Sequence, residues 1–229
     1  MITGRFHWKK RGAAVPRKYG HAALDFPHGT LLVTEMGTKK RASLHLVKGR
    51  ESLKKHDPAG LEVFDADLAT FRAALTRENH TLKRTLTDPR VFSGIGNAYS
   101  DEILHRAKLS PVKQTKHLAD EEIARLFQAT KDCLSERIER LRKDTSGDFP
   151  ERVTAFRHDM AVHGKYRKPC PACGSPIQRI VYAENETYYC ATCQTGGKLL
   201  ADRSPSRLLK DDWPKTLADL EEGKRMPNG

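Results

Sequence analysis

No apolar run in these 229 residues approaches the roughly 18 that a membrane-spanning helix needs, which excludes a helical span. The chain opens MITGRFHWKK, without the apolar core of a secretory signal and without the Ser-rich amphipathic stretch of a transit peptide. Cysteine is scarce: five residues, an odd number, with no secretory context to favour disulfides. There is no internal repeat and no extended low-complexity segment. Acidic residues are the minority among the charges, 29 Asp and Glu against 41 Lys and Arg, which leaves a net +12. Such an imbalance favours a polyanionic partner through counterion release. Nucleic acid is the first candidate, with a merely basic protein or a binder of acidic membrane surfaces as the alternatives. A hydrophobic content of 38% is enough to build cores, so the chain is expected to fold.

Periodicity divides the sequence. Arg5, Phe6, His7 and Trp8 read as the inside of a strand, and residues 22–26 and 30–35 are short apolar segments separated by the turn Pro27-His28-Gly29. Residues 41–47, RASLHLV, alternate as a further strand, and residues 49–60, with Asp57-Pro58, read as a linker. From Asp67 to Lys143 the period becomes helical, with helices expected at 67–77, 78–87, 97–108 and 120–143. In the last of these Asp120 is the expected cap. Ile123, Leu126, Phe127, Thr130, Leu134, Ile138 and Leu141 form its apolar stripe.

Two motifs carry chemistry. Cys170-x-x-Cys173 and Cys190-x-x-Cys193 have the spacing of a zinc ribbon, with QRIVYA turning through Glu184-Asn185-Glu186 into TYYC as its hairpin. Four thiolates close a tetrahedral shell, so one structural Zn2+ is expected; disulfide pairing is the alternative, and it leaves Cys133 over. The second motif is SGIGNAYSDEIL, residues 93–104. Gly94 and Gly96 allow a tight turn, Asn97 is the expected cap of the next helix, and the amides at that helix start suit a phosphate. Taken alone, the same stretch also fits a turn that merely packs.

In order, the chain presents Lys83 with Leu86, Gly94-Ile95-Gly96-Asn97, Tyr99 with Asp101-Glu102, and the four cysteines with Gln194. This arrangement resembles the formamidopyrimidine-DNA glycosylase and endonuclease VIII family over about residues 1–200. The resemblance implies an α+β protein: a partial N-terminal β-sandwich with linker (1–60), a central helix-two-turns-helix domain (61–160), a four-cysteine zinc ribbon (161–203) and a C-terminal tail (204–229). It implies a cytosolic, monomeric base-excision repair protein whose partner is double-stranded DNA with damaged bases or abasic sites. Asn97 then hydrogen-bonds a phosphate beside the lesion and Lys83 reaches the lesion-side backbone or base, a solvated helix lysine being the plainer reading of Lys83. Arg77 is a weaker candidate contact. The basic run Lys39-Lys40-Arg41 is either a phosphate contact or a solvated turn.

The departures from the family are as specific. Where its zinc hairpin usually carries an arginine, this chain has Asn185, which hydrogen-bonds but brings no charge, so the grip there is expected to be looser or differently arranged. The family's Arg-Phe wedge has no clear equivalent, its region reading KKRAS. The family's nucleophile is an N-terminal proline followed by glutamate. The proline amine attacks C1′ of the flipped nucleotide to give an iminium, from which base loss and strand cleavage follow. No Pro-Glu pair opens this chain, and MITGRFHW resembles an internal family strand. No catalytic residue is therefore assigned. The expectation is a start set too late for an active glycosylase and abasic-site lyase, the chain as it stands being inactive; the alternative is a damaged-DNA-binding protein that does not cut. The α-amino group of Met1 is a nucleophile in principle, but the resemblance sets it in a strand.

Overall fold

A computed structural model of the chain describes residues 4–37, 40, 42–150, 157–182, 185–201 and 214–225. The fold is α+β, and the chain divides into two compact units: Met1–Asp57 with Arg137–Thr154, and Pro58–Glu136 with Ala155–Gly229.

The first unit is a three-stranded antiparallel sheet of β1 (Gly4–Lys9), β2 (Gly20–Phe26) and β3 (Gly29–Glu35), in the order β1-β3-β2. The β2–β3 turn falls at Pro27-His28, as expected, and Trp8 pairs with Leu31 across β1 and β3. Trp8 also packs on Phe26 and Phe149, at ring separations of 5.7 and 6.4 Å. β3 carries the buried polar groups of the sheet, and each has a partner. His7 Nε2 lies 3.1 Å from Thr34 Oγ1, and the Glu35 carboxylate takes His21 at 3.3 Å and the Ala42 N–H at 3.1 Å.

The strand expected at 41–47 does not form over 42–47, where Leu44 and Leu46 stand 79% and 100% exposed. Alternation alone does not make a strand: the sheet ends at β1 and β2, and residues 42–47 pair with neither of these edge strands. The expected linker contains a 3-10 helix, Arg50–His56.

The second unit is built on α1 (Leu68–Thr76), α2 (Leu82–Thr87), α3 (Asn97–Arg106) and α4 (Asp120–Thr145), the last running on into the first unit. Asp67 caps α1, accepting from the Thr70 N–H at 2.8 Å. Phe71 and Leu75, spaced i,i+4, go fully inward, and α2 buries Leu82 and Leu86 at the same spacing. They meet Phe92, Ile103, Leu104 and Leu126 in one core, with Phe71 4.8 Å from Phe92 and 5.1 Å from Phe127. Each side chain so buried contributes about 1.5–3 kcal/mol. Truncation of Leu126, which is fully buried, to alanine costs about 2–5 kcal/mol.

Three helix boundaries depart from expectation for local reasons. α2 starts at Leu82 rather than 78 because residues 78–81 bond elsewhere: Thr115 donates its hydroxyl to the Glu78 carbonyl at 2.7 Å and its N–H to the His80 carbonyl at 2.9 Å. α3 ends at Arg106, where Lys108 turns left-handed (φ 54°) and the Leu109 N–H returns to the Leu104 carbonyl at 3.0 Å. Asp120 does not cap α4. Its carboxylate pairs with Arg72 at 2.6 Å, and Glu122 reaches back to the Ala119 N–H at 2.9 Å instead. Of the α4 stripe, Ile123, Leu126 and Thr130 are buried, while Ile138 is 38% exposed.

The second unit also holds the hairpin β4 (Ile177–Tyr182) and β5 (Asn185–Cys190), followed by α5 (Ala191–Thr195) and α6 (Leu217–Arg225). No helix among the described residues is long and apolar enough to cross a membrane.

Candidate nucleic-acid interface and metal centre

The four cysteines converge as their spacing predicts. All four sulfurs lie within 4.8 Å of one another, with Cys173 Sγ 3.4 Å from Cys190 Sγ and Cys170 Sγ 4.0 Å from Cys193 Sγ. A tetrahedral ion with metal–sulfur bonds near 2.3 Å sets its sulfurs about 3.8 Å apart, so the donor set fits zinc. The knuckles are local: the Cys170 N–H bonds the Ser175 carbonyl at 2.8 Å, and the Gly174 N–H returns to the Cys170 carbonyl at 2.8 Å with φ 76° at Gly174. Burial pushes the Cys193 thiol up to about 11 and Cys190 higher still. Against burial, hydrogen bonds at Ser175 bring Cys173 down to about 6. A bound cation offsets that cost by taking the thiolate forms.

α3 ties this centre to the helices through a polar stripe. Asn97, Asp101 and His105 recur every four residues on one face, and Glu102 flanks them. The Asn97 Nδ2–H donates to the Glu186 carbonyl on β5 at 3.1 Å. The Asp101 carboxylate, fully buried, is shared between Lys83 Nζ at 2.5 Å and His163 Nδ1 at 2.8 Å. Glu102 accepts the N–H groups of Ala161, Val162 and His163 at 2.8, 2.9 and 2.9 Å. His105 Nε2 lies 3.2 Å from Cys170 Sγ, where its N–H can steady a thiolate; burial lowers its pKa, which keeps the ring neutral. Gln194 closes the other side, accepting the Cys190 N–H at 2.8 Å and donating to the Leu109 carbonyl at 2.9 Å.

Above this stripe opens a cleft of about 870 Å³, lined among others by Lys83, Arg84, Gly96, Asn97, Asn185 and Thr187. Four of the residues named from sequence therefore line one cleft: Lys83, Gly96, Asn97 and Asn185.

Two roles read from the sequence change. Asn97 does not cap α3: Gly96 holds the cap position, and the Asn97 amide reaches across to the hairpin instead. Of the two glycines, only Gly94 (φ 77°) needs the left-handed region, whereas Gly96 is extended (φ −100°) and a Cβ there would meet nothing within 4 Å. Lys83 is less solvated than a surface lysine, its side chain only 14% exposed; burial lowers its pKa while Asp101 pulls against that.

The remaining candidates lie elsewhere. Exposed Arg77 sits at the end of α1 with a guanidinium N–H 3.4 Å from the Arg90 carbonyl, away from the cleft lining. Lys40 belongs to the first unit and donates to the Glu35 carbonyl. Lys39 and Arg41 fall outside the described residues, as do Ala183 and Glu184 at the hairpin turn. Asp101, Glu102, His105 and His163 were not assigned roles from sequence; the four-residue polar period on an otherwise inward-facing helix is the signal that marks two of them, Asp101 and His105.

Comparison with known proteins bears on both parts of the site. The family described as "Formamidopyrimidine-DNA glycosylase H2TH domain" matches residues 57–148, and "Zinc finger found in FPG and IleRS" matches residues 167–196. An uncharacterized formamidopyrimidine-DNA glycosylase-like protein of Mycobacterium tuberculosis is 40% identical over 153 residues, 67% of this chain and 93% of that protein. The formamidopyrimidine-DNA glycosylase of Thermus thermophilus is 39% identical over 131 residues, 56% of this chain; the match spans about half of that enzyme's length, 49%. Among solved structures, Lactococcus lactis Fpg in complex with DNA containing an abasic site superposes with a TM-score of 0.70 at 26% identity, over 85% of this chain and 72% of that one.

Proposed function

This chain belongs to the formamidopyrimidine-DNA glycosylase and endonuclease VIII family, and on that footing we propose that it binds duplex DNA at damaged or abasic sites through the cleft between α2, α3 and the zinc hairpin. The observation that carries the reading is the juxtaposition of Lys83, Asn97 and Asn185 around one cleft although they come from three separate segments. A phosphate entering there meets the open start of α3, where Gly96 leaves its approach unobstructed, together with side-chain donors suited to oxygen. One zinc ion on Cys170, Cys173, Cys190 and Cys193 supplies no open position for chemistry; its work is to hold β5 against α3.

For the reaction, the reading is base release and abasic-site lyase activity through a Schiff base on an amine, with DNA repair in the cytosol or nucleoid as the setting. The nucleophile would be the family's terminal proline with its glutamate, which the cleft residues do not supply. A second reading, recognition without cutting, is favoured by one observation: the nitrogen of the lysine in the cleft is tied to the Asp101 carboxylate at 2.5 Å and the Asn97 carbonyl at 2.6 Å, an arrangement that positions it rather than freeing it to attack a sugar. Borohydride trapping on abasic DNA separates the two. The full native protein forms a covalent adduct if an amine attacks the sugar; binding with no adduct leaves recognition alone.

A further inference from the structure

Resting on that reading of the cleft, we propose that Arg84, rather than Lys83, is the cation that neutralises the DNA phosphate there. Among the described residues, the cationic or potentially cationic side chains lining the cleft are His80, Lys83 and Arg84. Lys83 spends two of its three ammonium hydrogens on the Asn97 carbonyl at 2.6 Å and on Asp101 at 2.5 Å, and the fully buried carboxylate cancels its charge. His80 faces Glu78, with Nε2 2.8 Å from that carboxylate.

Arg84 differs from both. It is exposed on α2, and among the described residues its guanidinium has no hydrogen bond or ion pair. Asp88, which feels Arg84 through space, is committed to Arg90 at 3.0 and 2.7 Å. A matched pair presents little field to an incoming polyanion, whereas an unmatched guanidinium presents a full charge and a planar fork for two phosphate oxygens. Among the described residues, the hairpin brings no cation to the cleft, Asn185 being a neutral amide. The charge that grips the backbone in this cleft therefore sits on the helix side, one residue after the lysine that the sequence motif singles out. Lys83 becomes a positioning residue, fixing α2 to α3 through Asp101 and offering one remaining N–H.

The test is fluorescence anisotropy of the full chain, zinc-loaded, on a short duplex with one abasic-site analogue, titrated across a series of salt concentrations. Arg84→Gln should lower the slope of log affinity against log salt by about 0.9, the value of one released counterion, and weaken binding roughly tenfold at low salt. Arg84→Lys should restore most of the slope. Because Arg84 is exposed and unpaired, neither variant should change the unfolding midpoint. An unchanged slope in Arg84→Gln, beside a full unit lost in a folded Lys83→Gln, would assign the contact to Lys83 and overturn the proposal while the cleft still binds DNA. No binding by the unaltered chain would overturn the cleft reading itself, and this proposal with it.

Discussion

Replacing Asp101 by alanine should destabilise the helical unit by about 3 kcal/mol. Its carboxylate is fully buried, and it satisfies Lys83 Nζ at 2.5 Å and His163 Nδ1 at 2.8 Å, whose side chains are 14% and 5% exposed. Removing one partner of a buried ion pair costs about 3–5 kcal/mol, because the other charge is left unmatched. The lower end applies here, since Lys83 keeps the Asn97 carbonyl at 2.6 Å and part of its side chain reaches water. A loss of that size is a large share of the 5–15 kcal/mol typical of a whole domain.

The isosteric Asp101→Asn adds a pH signature. Burial already lowers the Lys83 pKa and Asp101 opposes it, so without the carboxylate the pKa falls further. Between that folded value and the unfolded value near 10.5, the unfolded chain binds the extra proton. The stability of Asp101→Asn should therefore rise with pH across that window, more steeply than in the unaltered chain. Urea unfolding followed by far-UV circular dichroism at several pH values reads both effects. A loss below about 1 kcal/mol with an unchanged pH profile would refute the account of this pair.

Further outcomes follow from the same geometry. Cys190→Ser should release zinc, measured by metal analysis of the purified protein, and abolish duplex binding because β5 then loses its anchor beside α3; tight binding without metal would show the ribbon has another role. Gly96→Ala places a methyl group in open space at the cleft, so the unfolding free energy should move by less than about 1 kcal/mol while DNA affinity falls several-fold in anisotropy titrations. Lys108→Gly relieves a left-handed residue at the end of α3 and should stabilise the chain by up to about 1 kcal/mol in urea unfolding.

How much of this was legible in the sequence depends on the range over which each feature is decided. The cysteines were legible because two Cys-x-x-Cys knuckles are local, and the hairpin between them follows from alternation. The core of the helical unit was legible for the same reason: Phe71 with Leu75 and Leu82 with Leu86 mark inward faces by spacing alone. Local reasoning fails where a distant partner decides. Asn97 has the chemistry of a cap, yet its amide is claimed by Glu186, 89 residues away, and Asp120 loses its capping role to Arg72, 48 residues away. Lys83 reads as a lysine that reaches DNA, with a solvated lysine as the alternative; neither foresees Asp101, 18 residues on, which takes it largely out of water. Residues 42–47 alternate like a strand, but alternation does not supply the pairing, and they join neither edge strand, β1 or β2. Asp101 and Glu102 were legible as motif letters only; what they do depends on residues 161–163, far along the chain.

The most direct test of the central claim is an anisotropy titration of the zinc-loaded full chain against two duplexes of one sequence, one intact and one carrying a single abasic site, at fixed salt. Damage recognition through the cleft predicts that the abasic duplex binds at least about tenfold tighter, or roughly 1.4 kcal/mol, and that Asn97→Ala removes most of that preference. Equal affinity for the two duplexes, or a preference untouched by Asn97→Ala, would contradict it.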